Sequence, residues 1–338
     1  MYYGGIDAHK NYLTVVIVDQ DGNEVHRDRR VPVEDGEPLI ATLKGFRPLE
    51  VVVETCPFWP WIYDRLESTE IGFHLAHATD LQAIAKARTK TDSIDAELLA
   101  RMLATNLIPE AYPKPASQRE VCYLVRHRAT LVRDRTRCCN RIHNQLQQRG
   151  LQLPREKLLR SEGRQWLQEE AWSRPSPEQR KTVRSLLQLI DTLGPMVEEL
   201  DGRIKERALE HRAACLLQTI PGIGPYRSLL LVAEILPISR FPSPELLVAY
   251  GGLAPTTRQS GTKAPRHGQL PRGANRWIRG ELISAIPTHL RIAPESSLSQ
   301  YYKEQKERLG WATARVATAR KLCRVIHAML CTGEVWHA

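Results

Sequence analysis

Two periods of apolar residues divide the chain. Near the N-terminus they come in short runs: Tyr2–Asp7, Tyr12–Asp19 (YLTVVIVD) and, after an Asp21-Gly22 turn, Glu24–Val33. The last two read as a β-hairpin. Then strand and helix patterns alternate: a helix over Pro38–Phe46, a buried strand Leu49–Glu54 (LEVVVE), a helix over Pro60–Ser68 and a strand Gly72–Ala76. Helical segments over Asp80–Ala87 and Asp92–Thr105 follow. A hairpin continued by strand–helix alternation predicts an α/β domain over residues 1–112, a mixed sheet covered by helices.

From Ser117 to about Arg149 no Gly or Pro interrupts a long helical pattern. Val121, Val125, Leu131/Val132, Cys138/Cys139, Ile142 and Leu146 recur about every 3.5 residues, with Arg128 and Arg135 in the same seam. A second such pattern runs from Val183 through Leu186, Ile190, Leu193, Val197, Leu200 and Ile204 to Ala208. Gly194-Pro195 is expected to kink or divide it. Residues 113–212 are thus expected to form a long helical coiled-coil stalk of two antiparallel helices, whose seams meet each other or a second subunit. Residues 213–338 read as a mainly α C-terminal domain punctuated by Gly and Pro.

Charge changes this picture. The 338 residues carry a net +10, but residues 1–112 hold 11 Lys+Arg against 18 Asp+Glu, whereas residues 113–338 hold 37 against 20. An acidic domain joined to a basic remainder suits a polyanion held by one part and acted on by another. No apolar run approaches the roughly 20 residues that span a bilayer, and no secretory signal pattern is present, so no membrane partner and a cytoplasmic location are expected. Seven cysteines with no Cys-x-x-Cys pair argue against a disulfide framework or a zinc knuckle. Cys323, His327 and Cys331 share helical spacing and read as buried helix residues.

Four carboxylates stand at places where chemistry gathers. Asp7 and Glu54 end strands, and Asp92 and Asp95 open a helix at i, i+3, which puts both on one face. Each also has a plain role: Asp7 in a turn, Asp92 as a helix cap, Asp95 in the first helical turn. Converging, the four would repel unless a hard cation such as Mg²⁺ or Mn²⁺ neutralised them. Such ions take oxygen ligands and suit phosphodiester chemistry.

The basic part offers candidate nucleic-acid contacts. Arg126, Arg133, Arg137 and Arg141 crowd the first long helix, where residues 114–164 hold 13 basic and 4 acidic side chains. Pro221-Gly222-Ile223-Gly224 lies between two helical patterns; Gly222 and Gly224 would let backbone amides approach a phosphate. Residues 254–291 carry 7 Lys+Arg and one acid, Glu281. Arg258, Lys263, Arg272 and Arg276 are the candidate contacts there. A Ser260-Gly261 pair sits among them, and a serine before glycine in a basic loop is usually a solvated turn residue.

Three segments, GIDAHK, VVVET and KTDSIDAELLA, resemble the acidic motifs of the DEDD-type insertion-sequence transposases, the family often called IS-one-ten. The segment Gly251-Gly252-Leu253-Ala254-Pro255 through Ser260-Gly261, with Gly273–Arg279 after it, resembles that family's C-terminal domain. Thr55-Cys56-Pro57-Phe58 departs from the small residues usual there, and Trp277 stands where Leu is usual. The resemblance implies an RNase H-like N-terminal domain similar to the RuvC Holliday-junction resolvase, with Asp7, Glu54, Asp92 and Asp95 as its Mg²⁺ (or Mn²⁺) site. It also implies Ser260 as a nucleophile that forms a phosphoserine–DNA intermediate. The partners it implies are DNA, a noncoding guide RNA encoded by the element, and further copies of the chain in a dimer or tetramer. Two alternatives remain at this stage: a junction-type endonuclease using water as nucleophile, and a nucleic-acid-binding protein without catalysis.

Overall fold

The computed structural model describes residues 1–33, 36–84, 92–153, 155–258, 266–271 and 273–337. The chain forms two compact units, Met1–Ser117 and Gln118–Ala338.

In the first unit the order is β1 (Tyr2–Ala8), β2 (Tyr12–Val18), β3 (Glu24–Pro32), α1 (Glu37–Lys44), β4 (Leu49–Glu54), α2 (Trp59–Leu66) and β5 (Gly72–Ala76). Then come α3 (Ala78–Ile84), α4 (Asp92–Ala104) and a two-residue β6 (Glu110–Ala111), which the sequence patterns do not reveal. The strands form one mixed sheet in the order β3-β2-β1-β4-β5-β6. β1 is antiparallel to β2 and parallel to β4, and β4 is parallel to β5. Both faces are covered, which is why Val51, Val52 and Val53 form an unbroken apolar run in β4. Val51 and Val53 face a core with Ile6, Leu39, Leu43, Ile62 and Leu66. Val52, between them, points the other way to Leu99, Met102 and Leu103 of α4. The expected α/β domain with a mixed, helix-covered sheet is what forms.

The second unit is helical. Its elements are α5 (Ala116–Gln147), the short α6 (Arg155–Leu158) and α7 (Ser161–Trp166), α8 (Pro177–Glu210), α9 (Arg212–Gln218), α10 (Pro225–Ile235) and α11 (Pro244–Tyr250). A two-stranded ribbon of β7 (Thr257–Arg258) and β8 (Arg266–His267) follows, then α12 (Arg276–Ile292) and α13 (Ser297–Thr332). The regions separated in the sequence as 113–212 and 213–338 fall together in this unit, apart from the few residues before Gln118.

Side chains of α5 and α8 share clusters in antiparallel order. Val125 packs with Ile204 and Ala208, Leu131 with Val197 and Leu200, and Ile142 and Leu146 with Val183, Leu186 and Ile190. The two seams therefore meet each other within one chain. Ser176 starts α8 with a capping box: its hydroxyl accepts from the Gln179 amide at 3.3 Å, and its own amide donates to Gln179 Oε1 at 3.0 Å.

The expected division at Gly194-Pro195 does not occur, since α8 runs through Pro195 without a break. Pro195 and Asp191, whose carbonyl loses its helical donor, both lie on the exposed side. Water can serve that carbonyl while the buried seam holds the helix together. Around α9 to α13 a larger core gathers Leu217, Leu229, Leu230, Leu282, Ile286, Leu322 and Ile326. Cys323 is buried in it, and His327 Nε2 lies 2.8 Å from the Phe241 carbonyl. Among the described residues no helix is long and apolar enough to cross a membrane.

Candidate functional site

The acidic residues of the first unit are arranged by strand register. Ile6 pairs with Val53 across the parallel β1–β4 ladder, so Asp7 and Glu54 occupy the next matching positions, side by side at the strand ends. Residues two apart share a face. Asp7 therefore lies on the face of Gly5, and Glu54 on that of Val52, which is the face covered by α4. Both carboxylates are half-buried. Burial pushes the Cys56 thiol pKa up, and the nearby Glu54 and Asp7 carboxylates push it further in the same direction. Asp7 Oδ2 also lies 2.9 Å from His9 Nε2.

Gly5 brings α4 close. A Cβ on Gly5 would overlap the Ala96 carbonyl oxygen and stand 2.7 Å from the Ala100 nitrogen. Tyr3, one pleat earlier on β1, packs in the cluster that contains Ala100 and Ala104. The helix thus runs antiparallel to β1, and its first turn, with Asp92 and half-buried Asp95, lies toward the strand ends that carry Asp7 and Glu54. The backbone of Asp92 opens α4; its side chain lies outside the described residues. Among the described residues no group of three or more His, Cys, Asp or Glu stands ready to hold a metal. What is described is a pair of hard oxygen donors at adjacent strand ends with a third acid on the helix above. That donor chemistry fits a divalent cation.

In the second unit several basic residues converge. A cavity of about 600 Å³ is lined by Arg128 and Arg133 of α5, the Gly224-Pro225 start of α10, Arg227, and Arg276 and Trp277 of α12. Arg128 donates to Asp201 at 2.8 Å and lies over the Tyr226 ring, 4.4 Å from its centroid. Arg227 donates to Glu281 at 3.3 Å, and the Tyr226 hydroxyl reaches the same carboxylate at 3.3 Å. Burial, with Glu281 adding to it, pushes the Tyr226 phenol pKa well up. The Arg133 guanidinium lies over the Trp277 ring, 5.0 Å from its centroid. Neither Arg133 nor Arg276 has a carboxylate partner among the described residues.

Arg126 has a different occupation from its neighbours. It donates to Glu234 at 2.8 and 2.5 Å, and that carboxylate is fully buried. Asn275 Nδ2 donates to the other Glu234 oxygen at 2.9 Å, while Asn275 Oδ1 caps α12 by accepting from the Trp277 and Ile278 amides. The Asn275 amide donates to the Tyr250 carbonyl at 2.9 Å. The segment from 251 to 274 is thereby tied at its base. Within it Thr257 pairs with His267 and Arg258 with Arg266. Ser260, Lys263 and Arg272 lie outside the described residues, as does the side chain of Arg258.

Of the remaining expected contacts, Arg137 pairs with Asp134 at 2.8 Å on the exposed face of α5, and Arg141 is exposed as well. Gly222 has φ +91°, and a Cβ there would come within 2.9 Å of the His289 nitrogen, so this glycine serves close packing on α12. Gly224 is exposed at the start of α10. Sequence reasoning missed Glu234, Asn275 and Arg227. A lone acid inside the apolar run LLLVAEIL is the signal that marks Glu234 as a buried charge needing partners.

Acidic strand ends in one unit and an arginine-lined cavity in the other suit an enzyme that works on a polyanion. Comparison with known proteins agrees. A family model described as "Transposase" matches residues 4–150, and one described as "Transposase IS116/IS110/IS902 family" matches residues 214–303. The chain is 27% identical over 335 residues to the transposase for insertion sequence element IS1111A of Coxiella burnetii, covering 98% of this chain and 90% of that one. It is 24% identical over 341 residues to the transposase for insertion sequence element IS1328 of Yersinia enterocolitica, covering 98% and 97%. It is also 26% identical over 296 residues to the pilin gene-inverting protein of Moraxella bovis, covering 83% and 80%. The chain belongs to the IS116/IS110/IS902 family of transposases.

Proposed function

We propose that this transposase cuts and rejoins DNA through a phosphoserine intermediate at Ser260, helped by a divalent cation at a RuvC-like site of Asp7, Glu54, Asp92 and Asp95. The observation that carries the reading is the matched position of Asp7 and Glu54 at adjacent strand ends, beneath the helix turn of Asp92 and Asp95. Relatives named as transposases and as a gene-inverting protein support an activity of DNA rearrangement.

The four carboxylates would hold Mg²⁺ or Mn²⁺, which when bound supplies Lewis acidity at the scissile phosphate. Ser260 Oγ forms a bond to phosphorus as the phosphorus–O3′ bond breaks, and the leaving 3′ oxygen takes up a proton. The 3′ hydroxyl of another broken strand later attacks the phosphoserine, releasing the serine and restoring a phosphodiester without an external energy source. Arginines of the second unit hold the DNA, or a guide RNA of the element, by its phosphates. The working assembly is a dimer or tetramer of this chain.

The test incubates the full-length protein with the element's DNA ends, its RNA and Mg²⁺, and looks for a protein–DNA adduct that survives denaturation. Ser260→Ala abolishes the adduct, and Asp7→Ala and chelation reduce it by orders of magnitude. An adduct that persists in Ser260→Ala overturns the serine assignment. Mg²⁺-dependent nicking with no adduct replaces it with a water-using endonuclease.

A further inference from the structure

We infer that the cavity between α5 and the starts of α10 and α12 binds one unpaired nucleotide of a nucleic-acid strand, with its phosphate on Arg133 and Arg276 and its base against Trp277. The inference rests on the transposase reading only for the class of ligand, nucleic acid.

Size comes first. At about 600 Å³ the cavity lies in the range of roughly 300–1,000 Å³ that holds a small molecule, which is room for a single nucleotide. Charge comes next. Arg128 and Arg227 are occupied by Asp201 and Glu281, whereas Arg133 and Arg276 are exposed without carboxylate partners among the described residues. Arg133 spends its Nε on the Ala129 carbonyl and one Nη on Thr130 Oγ1 but keeps its other Nη, and with Arg276 it offers charged donors to a phosphate.

Trp277 then supplies the platform for a base. Its ring is steadied by Arg126, 5.5 Å from the centroid, and Arg126 is itself anchored on buried Glu234. Arg133 lies over the same ring, 5.0 Å from its centroid, and an indole lining a basic cavity is the kind of surface on which a base stacks.

The acceptors decide between a nucleotide and a simple anion. Glu281 and Ser284 also line the cavity. A carboxylate repels phosphate, so a site for phosphate alone would not place one there. A nucleotide carries donors as well, on its base edge and sugar, that a carboxylate can accept. Glu281 accepts from Arg227 and the Tyr226 hydroxyl at 3.3 Å each, and its remaining lone pairs can accept such a donor while those contacts stay.

Binding is measured by fluorescence anisotropy with the full-length protein in EDTA at fixed low salt, so no cleavage is needed. The probes are a labelled 15-nucleotide single strand as DNA and as RNA, the blunt duplex, and an abasic strand of equal length. Wild type is expected to bind one or both single strands at least fivefold tighter than the duplex and the abasic strand, and the tighter of DNA and RNA names the source. Arg133→Gln with Arg276→Gln weakens single-strand binding at least tenfold. The charge-matched pair Arg203→Gln with Arg207→Gln, exposed on α8, weakens it less than threefold. Trp277→Leu removes the preference over the abasic strand, and Trp277→Phe keeps it.

Equal losses from the two arginine pairs would overturn the inference, as would equal binding of intact and abasic strands or tighter binding of the duplex. Adduct formation by Ser260 is read separately. A wild type that forms the adduct while the cavity variants bind normally sinks this inference and leaves the function standing. A cavity that binds as expected in a protein forming no adduct does the reverse.

Discussion

Gly5→Ala tests how the acidic centre is built. The added methyl would overlap the Ala96 carbonyl oxygen and lie 2.7 Å from the Ala100 nitrogen and 3.0 Å from the Ala96 carbonyl carbon. Carbon contacts are comfortable at about 3.5 Å or more, so α4 must retreat from β1 by on the order of 1 Å. Both clashing groups are helix backbone, which cannot swing aside as a side chain can. Overpacking of this kind costs about 1–3 kcal/mol. For a unit of this size that is a fall in Tm of roughly 4–12 °C, read in thermal unfolding of the full chain.

Retreat also carries Asp92 and Asp95 away from Asp7 and Glu54. A misplacement of about 1 Å can lower a rate by roughly 100-fold, so adduct formation should fall by more than the loss of folded protein explains. Hydrogen exchange should quicken in α4 before α1 or α2. Gly45→Ala is the control, because a Cβ there meets nothing within 4 Å. It should stay within about 0.5 kcal/mol of wild type. If Gly5→Ala matches that control in both Tm and adduct yield, the close approach of α4 does not organise the centre.

Two further predictions concern the second unit. Glu234→Ala removes the buried partner of Arg126 and Asn275 and should destabilise the protein by about 3 kcal/mol in urea unfolding, whereas Glu245→Ala, at an exposed position in the first turn of α11, should change little. His289 is buried between the Pro221 carbonyl and the Ser296 hydroxyl at 2.8 Å each, and burial holds its pKa below the ordinary value of 6.5. The unfolded chain then binds this proton more readily than the folded one. Its contribution is therefore complete above about pH 6.5 and is lost as pH falls through the lower folded value. The Tm of wild type should drop more steeply below that pH than the Tm of His289→Gln; parallel curves would remove His289 from the account.

Much of the fold was legible in local pattern. β4 (Leu49–Glu54) and β5 (Gly72–Ala76) have the bounds their composition suggested, and α5 differs from its expected range by a residue or two. Strand and helix periods are properties of short windows, so they survive without knowledge of partners. Pro195 shows the limit. Its local preference against a helix interior is real, yet the seam of α8 against α5 and the exposure of the freed carbonyl outweigh it.

The sequence by itself determined that carboxylates end two strands and open a helix, and that arginines crowd α5. Tertiary structure alone decided which of these meet. The parallel register of β1 with β4 sets Asp7 beside Glu54, and Gly5 admits α4 over that face. Arg126 and Arg133 are two helical turns apart and alike in sequence. One is consumed by buried Glu234, and the other opens into the cavity with Arg276 and Trp277. Periodicity says which face of a helix a residue occupies. Only the elements packed on that face determine whether its charge is neutralised inside the protein or left for a ligand.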